Sequence, residues 1–225
     1  MSRNLKAWAA ALACAALLAS AAACGGAKSG ETKDADADAG EANVKKGVKP
    51  EPDAQAAVIE TDYGRIVVEL YPNLAPKMVE RFKQLAQEGF YNGTAIHRID
   101  PGLGIIQGGD PNSKDNDPLN DGSGNSPYPN VPAEFSDAQF ERGIVGAARQ
   151  GGDINSANCQ FFITLKRQPA FEQPGNHYTV FGRVVEGLGN ADIISNAPTA
   201  EGSTDRPADR ILVKSVTLAP RANFK

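Results

Sequence analysis

The apolar stretches of this chain are short, rich in β-branched residues and repeatedly ended by turn-forming residues. Residues 58–61 and 65–70 are two such stretches, and the Asp-Tyr-Gly between them is typical of a β-hairpin. Similar stretches follow at residues 95–99, 105–107, 143–148, 160–165, 179–184 and 211–218. Gly, Pro and Asn lie between them, so the spacing predicts a β-sandwich or a closed barrel rather than a βαβ sheet.

Two segments depart from this β pattern and have the character of helices. Between residues 76 and 88, apolar residues recur at helical spacing (Val79, Phe82, Leu85), a proline opens the segment and a glycine follows it. Residues 189–196 predict a second, shorter helix. The chain is therefore predicted to be mainly β with two helices.

Composition limits the function classes that are open to the chain. Of its 225 residues, 41% are hydrophobic, which is enough for a sizeable core and excludes disorder along the whole length. The formal net charge is −4 and no basic block is present, so we expect no nucleic-acid partner. Three cysteines and two histidines are too few and too scattered for a disulfide framework or a zinc site. We therefore expect chemistry without a metal or a cofactor.

One stretch, residues 110–132, is irregular and rich in Asn and Asp. Seven of these residues lie between residues 110 and 121, and clustered oxygens could bind calcium. However, no Asp-x-Asp-x-Asp-Gly run with a glutamate at its twelfth position occurs. The stretch is therefore predicted to be a solvated loop with Asx turns.

Residues 1–23 have the layout of a secretory signal. Arg3 and Lys6 precede an uncharged run from residue 7 to residue 23, and Glu31 is the first acidic residue. The run is near the lower length limit for crossing a bilayer, so an uncleaved membrane anchor is an alternative. We expect an exported protein located in the cell envelope.

Small residues directly precede Cys24 at the end of that run. Residues 21–25 (Ala-Ala-Ala-Cys-Gly) resemble the lipobox of bacterial lipoproteins, in which the cysteine is acylated, although lipoboxes usually have Leu at the position of Ala21. The resemblance implies a lipid anchor at Cys24. Residues 12–14 (Leu-Ala-Cys) are a rival match. Cleavage by ordinary signal peptidase, after Ala21 or Ala23, would instead release a soluble exported protein.

Residues 24–56 are mostly small or charged, with Val44 and Val48 as the large apolar side chains. Such a segment buries too little apolar surface to offset the entropy lost on ordering. It is predicted to be a flexible linker, and residues 57–225 are predicted to form the globular domain.

Three parts of the predicted domain carry residues that are unusual in plain strands. Residues 97–99 read His-Arg-Ile and lead to Ile-Ile-Gln-Gly-Gly-Asp at residues 105–110. Residues 159–164 read Cys-Gln-Phe-Phe-Ile-Thr, and residues 178–184 read Tyr-Thr-Val-Phe-Gly-Arg-Val. In this order the motifs resemble those of the cyclophilin family of peptidyl-prolyl cis/trans isomerases, and the likeness covers residues 57–220.

The resemblance implies a closed eight-stranded antiparallel β-barrel with two flanking helices, working as a monomer on X–Pro-containing polypeptides. Rotation about a peptide C–N bond meets a barrier of roughly 18–20 kcal/mol because of resonance. Lowering it requires a pocket that holds the proline ring and a donor that stabilises the twisted amide, without covalent chemistry.

Carried over to this sequence, the motifs make Arg98 the catalytic donor and Gln107 the residue that orients the arginine or the substrate carbonyl. The resemblance implies substrate-binding roles for Ile105, Leu103, Ala148, Arg149, Gln160, Phe162, Phe171 and Tyr178. Two hypotheses follow: an exported isomerase that assists protein folding, or a module that binds proline peptides or a protein partner with weak or no isomerase activity.

One departure from the family pattern motivates the second hypothesis. Eight residues separate Arg98 from Gln107, one more than usual, because Pro-Gly-Leu-Gly at residues 101–104 replaces a pattern that ends in Phe. Leu103 is the candidate to replace the missing aromatic wall of the pocket.

Overall fold

A computed structural model describes residues 44–224, and eight β-strands lie within that range. They are β1 Gln55–Thr61, β2 Gly64–Leu70, β3 Ala95–Asp100, β4 Ile105–Gly108, β5 Ile144–Ala147, β6 Phe161–Thr164, β7 Val180–Glu186 and β8 Ile211–Pro220. The order β1-β2-β7-β5-β6-β4-β3-β8 closes on itself, and every neighbouring pair is antiparallel. The predicted barrel is confirmed, and the sandwich alternative is wrong.

Two α-helices accompany the barrel within the described residues: α1 Pro76–Gln87 and α2 Leu188–Ser195. Both lie within one residue of their predicted bounds. On α1, Phe82 and Leu85 are buried in the same cluster as the inward-facing strand residues. Between residues 44 and 224, no helix combines the length and the apolar character that crossing a membrane requires.

Alternation along the strands divides their side chains between the barrel interior and its outer face. On β6, Phe161 joins the central core cluster, whereas Phe162 belongs to a second cluster on the opposite face of the strand. On β4, Ile106 lies in the central core, and Ile105 belongs to the second cluster. The second cluster, which we call the outer aromatic cluster, therefore packs outside β4 and β6. Its buried members are Tyr71, Leu74, Ile105, Phe140, Ile144, Phe162, Phe171 and Val180.

The segment before β1 lies on the surface of the barrel domain. The Lys45 N–H donates to the carbonyl of Phe135 at 2.9 Å, and its ammonium donates to the carbonyl of Leu74 at 2.8 Å. Val48 packs against the outer aromatic cluster. We call residues 44–54 the N-terminal strap, and residue 55 then begins β1.

The flexible linker predicted over residues 24–56 is therefore wrong for residues 44–56, which are ordered against the domain. The prediction failed because it considered only the number of apolar side chains in the segment. Hydrogen bonds attach residues 44–56 to the domain as well. The predicted signal over residues 1–23, the acylation of Cys24 and the linker over residues 24–43 all lie outside the described residues.

The Asn- and Asp-rich loop after β4 is built from Asx turns, as predicted. The carboxylate of Asp110 accepts the N–H of Asn112 at 2.8 Å, and that of Asp115 accepts the N–H of Asp117 at 2.7 Å. A short 3₁₀ helix, Pro111–Lys114, lies between these turns. Over residues 44–224, no group of three His, Cys, Asp or Glu residues is placed to hold a metal ion.

Candidate active site

Three neighbouring strands bring the predicted catalytic residues onto one outer face of the barrel. The register pairs Arg98 on β3 with Gln107 on β4, and Gln107 with Phe162 on β6. Residues opposite each other in an antiparallel pair project to the same face, so the three side chains form one row. Neighbouring strands lie about 4.8 Å apart, which separates the Arg98 and Phe162 backbones by roughly 10 Å.

The glutamines of this site form a hydrogen-bonded chain that sets their orientation. Gln107 Nε2 donates to Gln160 Oε1 at 3.0 Å, and Gln160 Nε2 donates to the carbonyls of Gly122 and Gly124 at 3.1 and 3.0 Å. With its nitrogen so engaged, Gln107 turns its oxygen towards Arg98, whose Nη1 donates to it at 3.5 Å. The loop after β4 thus anchors the amide that faces the predicted catalytic donor.

Two carboxylates contact Arg98 in addition to Gln107. Arg98 Nη2 donates to Asp100 Oδ2 at 2.7 Å, and its Nε donates to Asp205 Oδ2 at 2.9 Å. The arginine side chain nevertheless remains 34% exposed. Neither aspartate was among the predicted site residues.

Aromatic rings build the wall next to this row. The Phe162 ring is only 3% exposed, and its centroid lies 5.4 Å from those of both Phe171 and Tyr178. Phe140 stacks on Phe162 with centroids 5.9 Å apart. These ring pairs limit the freedom of Phe162 and keep the wall rigid. The sequence analysis missed Phe140, which contributes support from behind Phe162.

Arg149 and Ala148 follow β5 beside the aromatic wall. The Arg149 guanidinium lies 4.6 Å from the centre of the Tyr178 ring and donates to the carbonyl of His177 at 3.2 Å. Arg149 therefore stacks on a predicted pocket residue and fastens the loop that precedes β7. Ala148 packs against the outer aromatic cluster. Both residues also line a cleft of about 110 Å³, together with Gln107, Gly122, Ser123, Asn125, Gln150, Ser156, Asn158 and Gln160.

The turn at residues 101–104 leaves Leu103 at the surface, 36% exposed. The Leu103 N–H donates to Asp100 Oδ1 at 2.8 Å, and its carbonyl accepts a hydrogen bond from Gln168. Lys166 Nζ donates to the carbonyl of Gly102 at 2.7 Å. The backbone of the turn is therefore well held, while the leucine side chain projects outwards and supplies no ring.

His97 and Cys159, which neighbour predicted site residues in the sequence, are not suited to nucleophilic catalysis. Burial lowers the pKa of His97, next to Arg98, although the Asp110 carboxylate opposes this shift. Burial raises the pKa of the Cys159 thiol to about 12, so its thiolate is scarce at neutral pH. The geometry instead supports non-covalent chemistry, in which a fixed guanidinium stabilises charge beside an apolar pocket.

Comparison with known proteins decides the family. A family model for "Cyclophilin type peptidyl-prolyl cis-trans isomerase/CLD" matches residues 56–218. The chain belongs to the cyclophilin family. Its predicted activity is thereby confirmed: this cyclophilin is a peptidyl-prolyl cis-trans isomerase.

Individual relatives of this cyclophilin agree with the family match. A protein of Brucella suis named "Probable peptidyl-prolyl cis-trans isomerase" is 40% identical over 163 residues, which cover 71% of this chain and 81% of that protein. The "Peptidyl-prolyl cis-trans isomerase-like 3" of Gallus gallus is 34% identical and covers 72% of this chain and 95% of that protein.

Solved structures show the same likeness. The crystal structure of a cyclophilin type peptidyl-prolyl cis-trans isomerase of Cryptosporidium parvum matches with a TM-score of 0.63 at 29% identity. That match covers 73% of this chain and 97% of the other. A second structure of that isomerase, determined in the presence of the dipeptide Ala-Pro, matches with a TM-score of 0.62 at 28% identity and covers 73% and 98% of the two chains.

The fold of this cyclophilin brings most of the predicted site residues together. Arg98, Gln107 and Gln160 form one hydrogen-bonded chain. The outer aromatic cluster contains Ile105, Phe162 and Phe171, with Ala148 and Tyr178 packed against it and Arg149 on the Tyr178 ring. Their individual roles towards a substrate stay predictions.

Of the residues that the sequence analysis missed, Asp100 alone had a local signal. It stands two positions after Arg98 on β3, and residues i and i+2 of a strand share a face. Asp205 is 107 residues from Arg98 in an irregular loop, where no periodicity indicates a contact.

Proposed function

We propose that this cyclophilin accelerates cis/trans isomerisation of X–Pro bonds in exported polypeptides and so assists their folding. The observation that carries the catalytic part is the row of Arg98, Gln107 and Phe162 across three adjacent strands. It puts the strands that carry a guanidinium and an aromatic side chain on either side of one glutamine, with their backbones roughly 10 Å apart. We expect a proline ring and its preceding peptide group to bind across this row.

In this mechanism the proline ring packs on the outer aromatic cluster, and the residue before it lies over Gln107. As the amide twists, the prolyl nitrogen regains its lone pair and becomes a better hydrogen-bond acceptor. A guanidinium N–H of Arg98 donates to that nitrogen more strongly in the twisted state than in either planar isomer. Such differential binding lowers the barrier. Gln160 holds the backbone of the substrate or orients Gln107.

The test is exchange NMR on a short Ala-Pro peptide with wild-type protein, Arg98→Ala and Arg65→Ala. Arg65 is a surface arginine paired with Glu186 and serves as the matched control. We expect fast exchange with wild type and Arg65→Ala, and a loss of about a hundredfold or more with Arg98→Ala. Unchanged catalysis by Arg98→Ala would contradict the assigned donor.

A second function is favoured by one observation, the outward-facing Leu103 in a turn that carries no aromatic ring. Under this alternative, the same face chiefly binds proline peptides, and its isomerase activity is low. It predicts that the wild-type protein binds the Ala-Pro peptide, seen as chemical-shift changes, while exchange is only slightly faster than the uncatalysed rate.

Export and lipid anchoring are the cellular part of the proposal and are supported by the sequence pattern of residues 1–25. The test is detergent phase partitioning and mass spectrometry of the protein produced in a bacterial host. Cys24→Ala should remove the acyl mass, whereas the rival Cys14→Ala should leave it in place. An aqueous wild-type protein that begins at residue 22 or 24 would instead support ordinary signal cleavage.

The domain is proposed to act as a monomer. Size-exclusion chromatography with light scattering on residues 44–225 should give the mass of a single chain at every concentration tested. A mass that doubles with concentration would contradict this expectation.

A further inference from the structure

Arg98 is contacted by two aspartates that do not belong to the family motifs. We propose that Asp100 and Asp205 are positioning residues that hold the Arg98 guanidinium in its catalytic orientation. This inference rests on the proposed function of Arg98 as the donor to the twisted amide.

The two carboxylates engage different nitrogens of the guanidinium. Asp100 Oδ2 accepts from Nη2 at 2.7 Å, and Asp205 Oδ2 accepts from Nε at 2.9 Å. Charge-assisted hydrogen bonds of this length are among the stronger ones in proteins. Two such bonds to different nitrogens prevent the planar group from turning about its long axis.

Counting donors shows that the arrangement still leaves the arginine able to act. A guanidinium has five N–H groups in a fixed fork. One points to Asp205, one to Asp100 and one, at 3.5 Å, to Gln107. One N–H on each terminal nitrogen is then left over for the substrate. Because the aspartates occupy the other directions, these two groups are already oriented before a peptide binds.

The backbone around Asp205 is itself fixed. Its carbonyl accepts the N–H of Ile99, on the same strand as Arg98, at 2.7 Å. The loop between α2 and β8 is thereby attached to β3, one position from the arginine that the Asp205 carboxylate contacts. The carboxylate therefore has a defined place relative to Arg98.

Asp100 connects the guanidinium to the lengthened turn. While Oδ2 accepts from Arg98, Oδ1 accepts the N–H of Leu103 at 2.8 Å. Lys166 holds the same turn through the carbonyl of Gly102. The residues that distinguish this turn from the usual family pattern are thus linked through one carboxylate to the predicted catalytic donor.

The two aspartates have opposite effects on Arg98: they fix its orientation, but they also weaken its positive potential. Two carboxylates around one guanidinium reduce its positive potential, so their removal would strengthen the arginine as a free cation. If charge alone mattered, neutralising either aspartate would raise activity. If orientation matters more, the same changes would lower it.

The experiment measures kcat, KM and thermal stability for the full chain carrying Asp100→Asn, Asp205→Asn or the control Asp192→Asn. Asp192, on α2, pairs with Arg142 by two hydrogen bonds of 2.6 and 2.8 Å, and its exposure is close to that of Asp205. We expect kcat to fall roughly tenfold for each site variant, with KM within about twofold. The Asp192 variant should keep wild-type kinetics.

A double-mutant cycle separates positioning from a merely structural role. In an Arg98→Ala background the aspartates have no guanidinium to hold, so Asp205→Asn should cause no further loss of kcat. An equal loss of kcat in both backgrounds, in step with a lower melting temperature, would overturn the inference. So would unchanged or higher kcat in the single variants.

The kcat values of these variants test the role of Arg98 and the role of the two aspartates separately. If Arg98→Ala retains wild-type activity, the role of Arg98 fails, whatever the aspartate variants do. If Arg98→Ala is inactive while Asp100→Asn and Asp205→Asn keep wild-type kcat, only the positioning role fails. The Nε–H resonance of Arg98, which should shift in Asp205→Asn and not in Asp192→Asn, reports the contact directly.

Discussion

The ring of Phe162 packs directly on Gly146, its partner across the β5–β6 ladder. A Cβ atom added at Gly146 would overlap the far edge of that ring, at Cζ and both Cε atoms. Phe140 and Phe171 hold the ring from other sides, so it has little room to retreat. The position of the Phe162 ring therefore depends on the absence of a side chain on β5.

Gly146→Ala is expected to lower both stability and activity, because the added methyl group displaces the Phe162 ring. Overpacking of this kind costs about 1–3 kcal/mol. Urea unfolding and the isomerase assay measure the two effects. Gly151→Ala is the control, since an added Cβ there meets nothing within 4 Å. Wild-type stability and kcat/KM in Gly146→Ala would contradict the tight packing.

Truncation of the N-terminal strap is expected to destabilise the barrel. Deleting residues 44–54 removes the bonds of Lys45 and uncovers the apolar surface beneath Val48. Val48→Ala alone should lower the free energy of unfolding by about 1 kcal/mol, given the methyl groups it loses from a partly buried site. Lys46→Ala, at an exposed neighbouring position, should leave stability unchanged. Equal melting temperatures for residues 44–225 and 55–225 would show that the strap contributes nothing.

The Cys159 thiol should be inert in the native protein. It is fully buried, and burial raises its pKa to about 12. At pH 8 we expect a thiol reagent to label residues 44–225 at least about a hundredfold more slowly when folded than in urea. Ala170→Cys, at an exposed position, should introduce one fast-reacting thiol as the positive control. Rapid native labelling of the single cysteine would contradict its burial.

Stability should fall as the pH drops below about 6.5, the ordinary pKa of histidine. Burial lowers the pKa of His97 in the folded protein. Between the folded-state and unfolded-state pKa values of this histidine, the unfolded chain therefore binds a proton that the folded protein does not bind. The stabilisation is complete above the unfolded pKa and is lost on acidification, at up to about 1.4 kcal/mol per pH unit. Urea unfolding of wild type and His97→Gln at pH 7.5 and 5.5 measures it. The variant should lose less stability than wild type, and equal losses would exclude His97 as the source.

Much of the site was predictable because its parts are local in sequence. Arg98 and Gln107 lie on consecutive strands, and alternation puts both side chains on the face opposite Ile99 and Ile106, which are buried in the core. Phe162 shows the same separation from its neighbour Phe161. A motif that spans adjacent strands therefore predicts which of its side chains lie together in the row.

Other parts of the site had no local signal. Phe140 comes from the irregular segment before β5, and it lies beside Phe162 because β5 pairs with β6. Asp205, which contacts Arg98, lies in a loop whose sequence has no regular apolar periodicity. Segments without periodicity have no pattern from which a partner can be inferred.

The sequence by itself determined the short strands, the two helices, the Asx turns and the family motifs, because backbone preference and apolar alternation act over a few residues. Only the tertiary structure decided that Asp205 contacts Arg98, that Gly146 lies against the Phe162 ring and that residues 44–54 lie on the barrel. Those contacts join different segments of the chain, and the packing of strands and loops in the barrel domain, rather than any local preference, brings them within hydrogen-bonding or van der Waals distance.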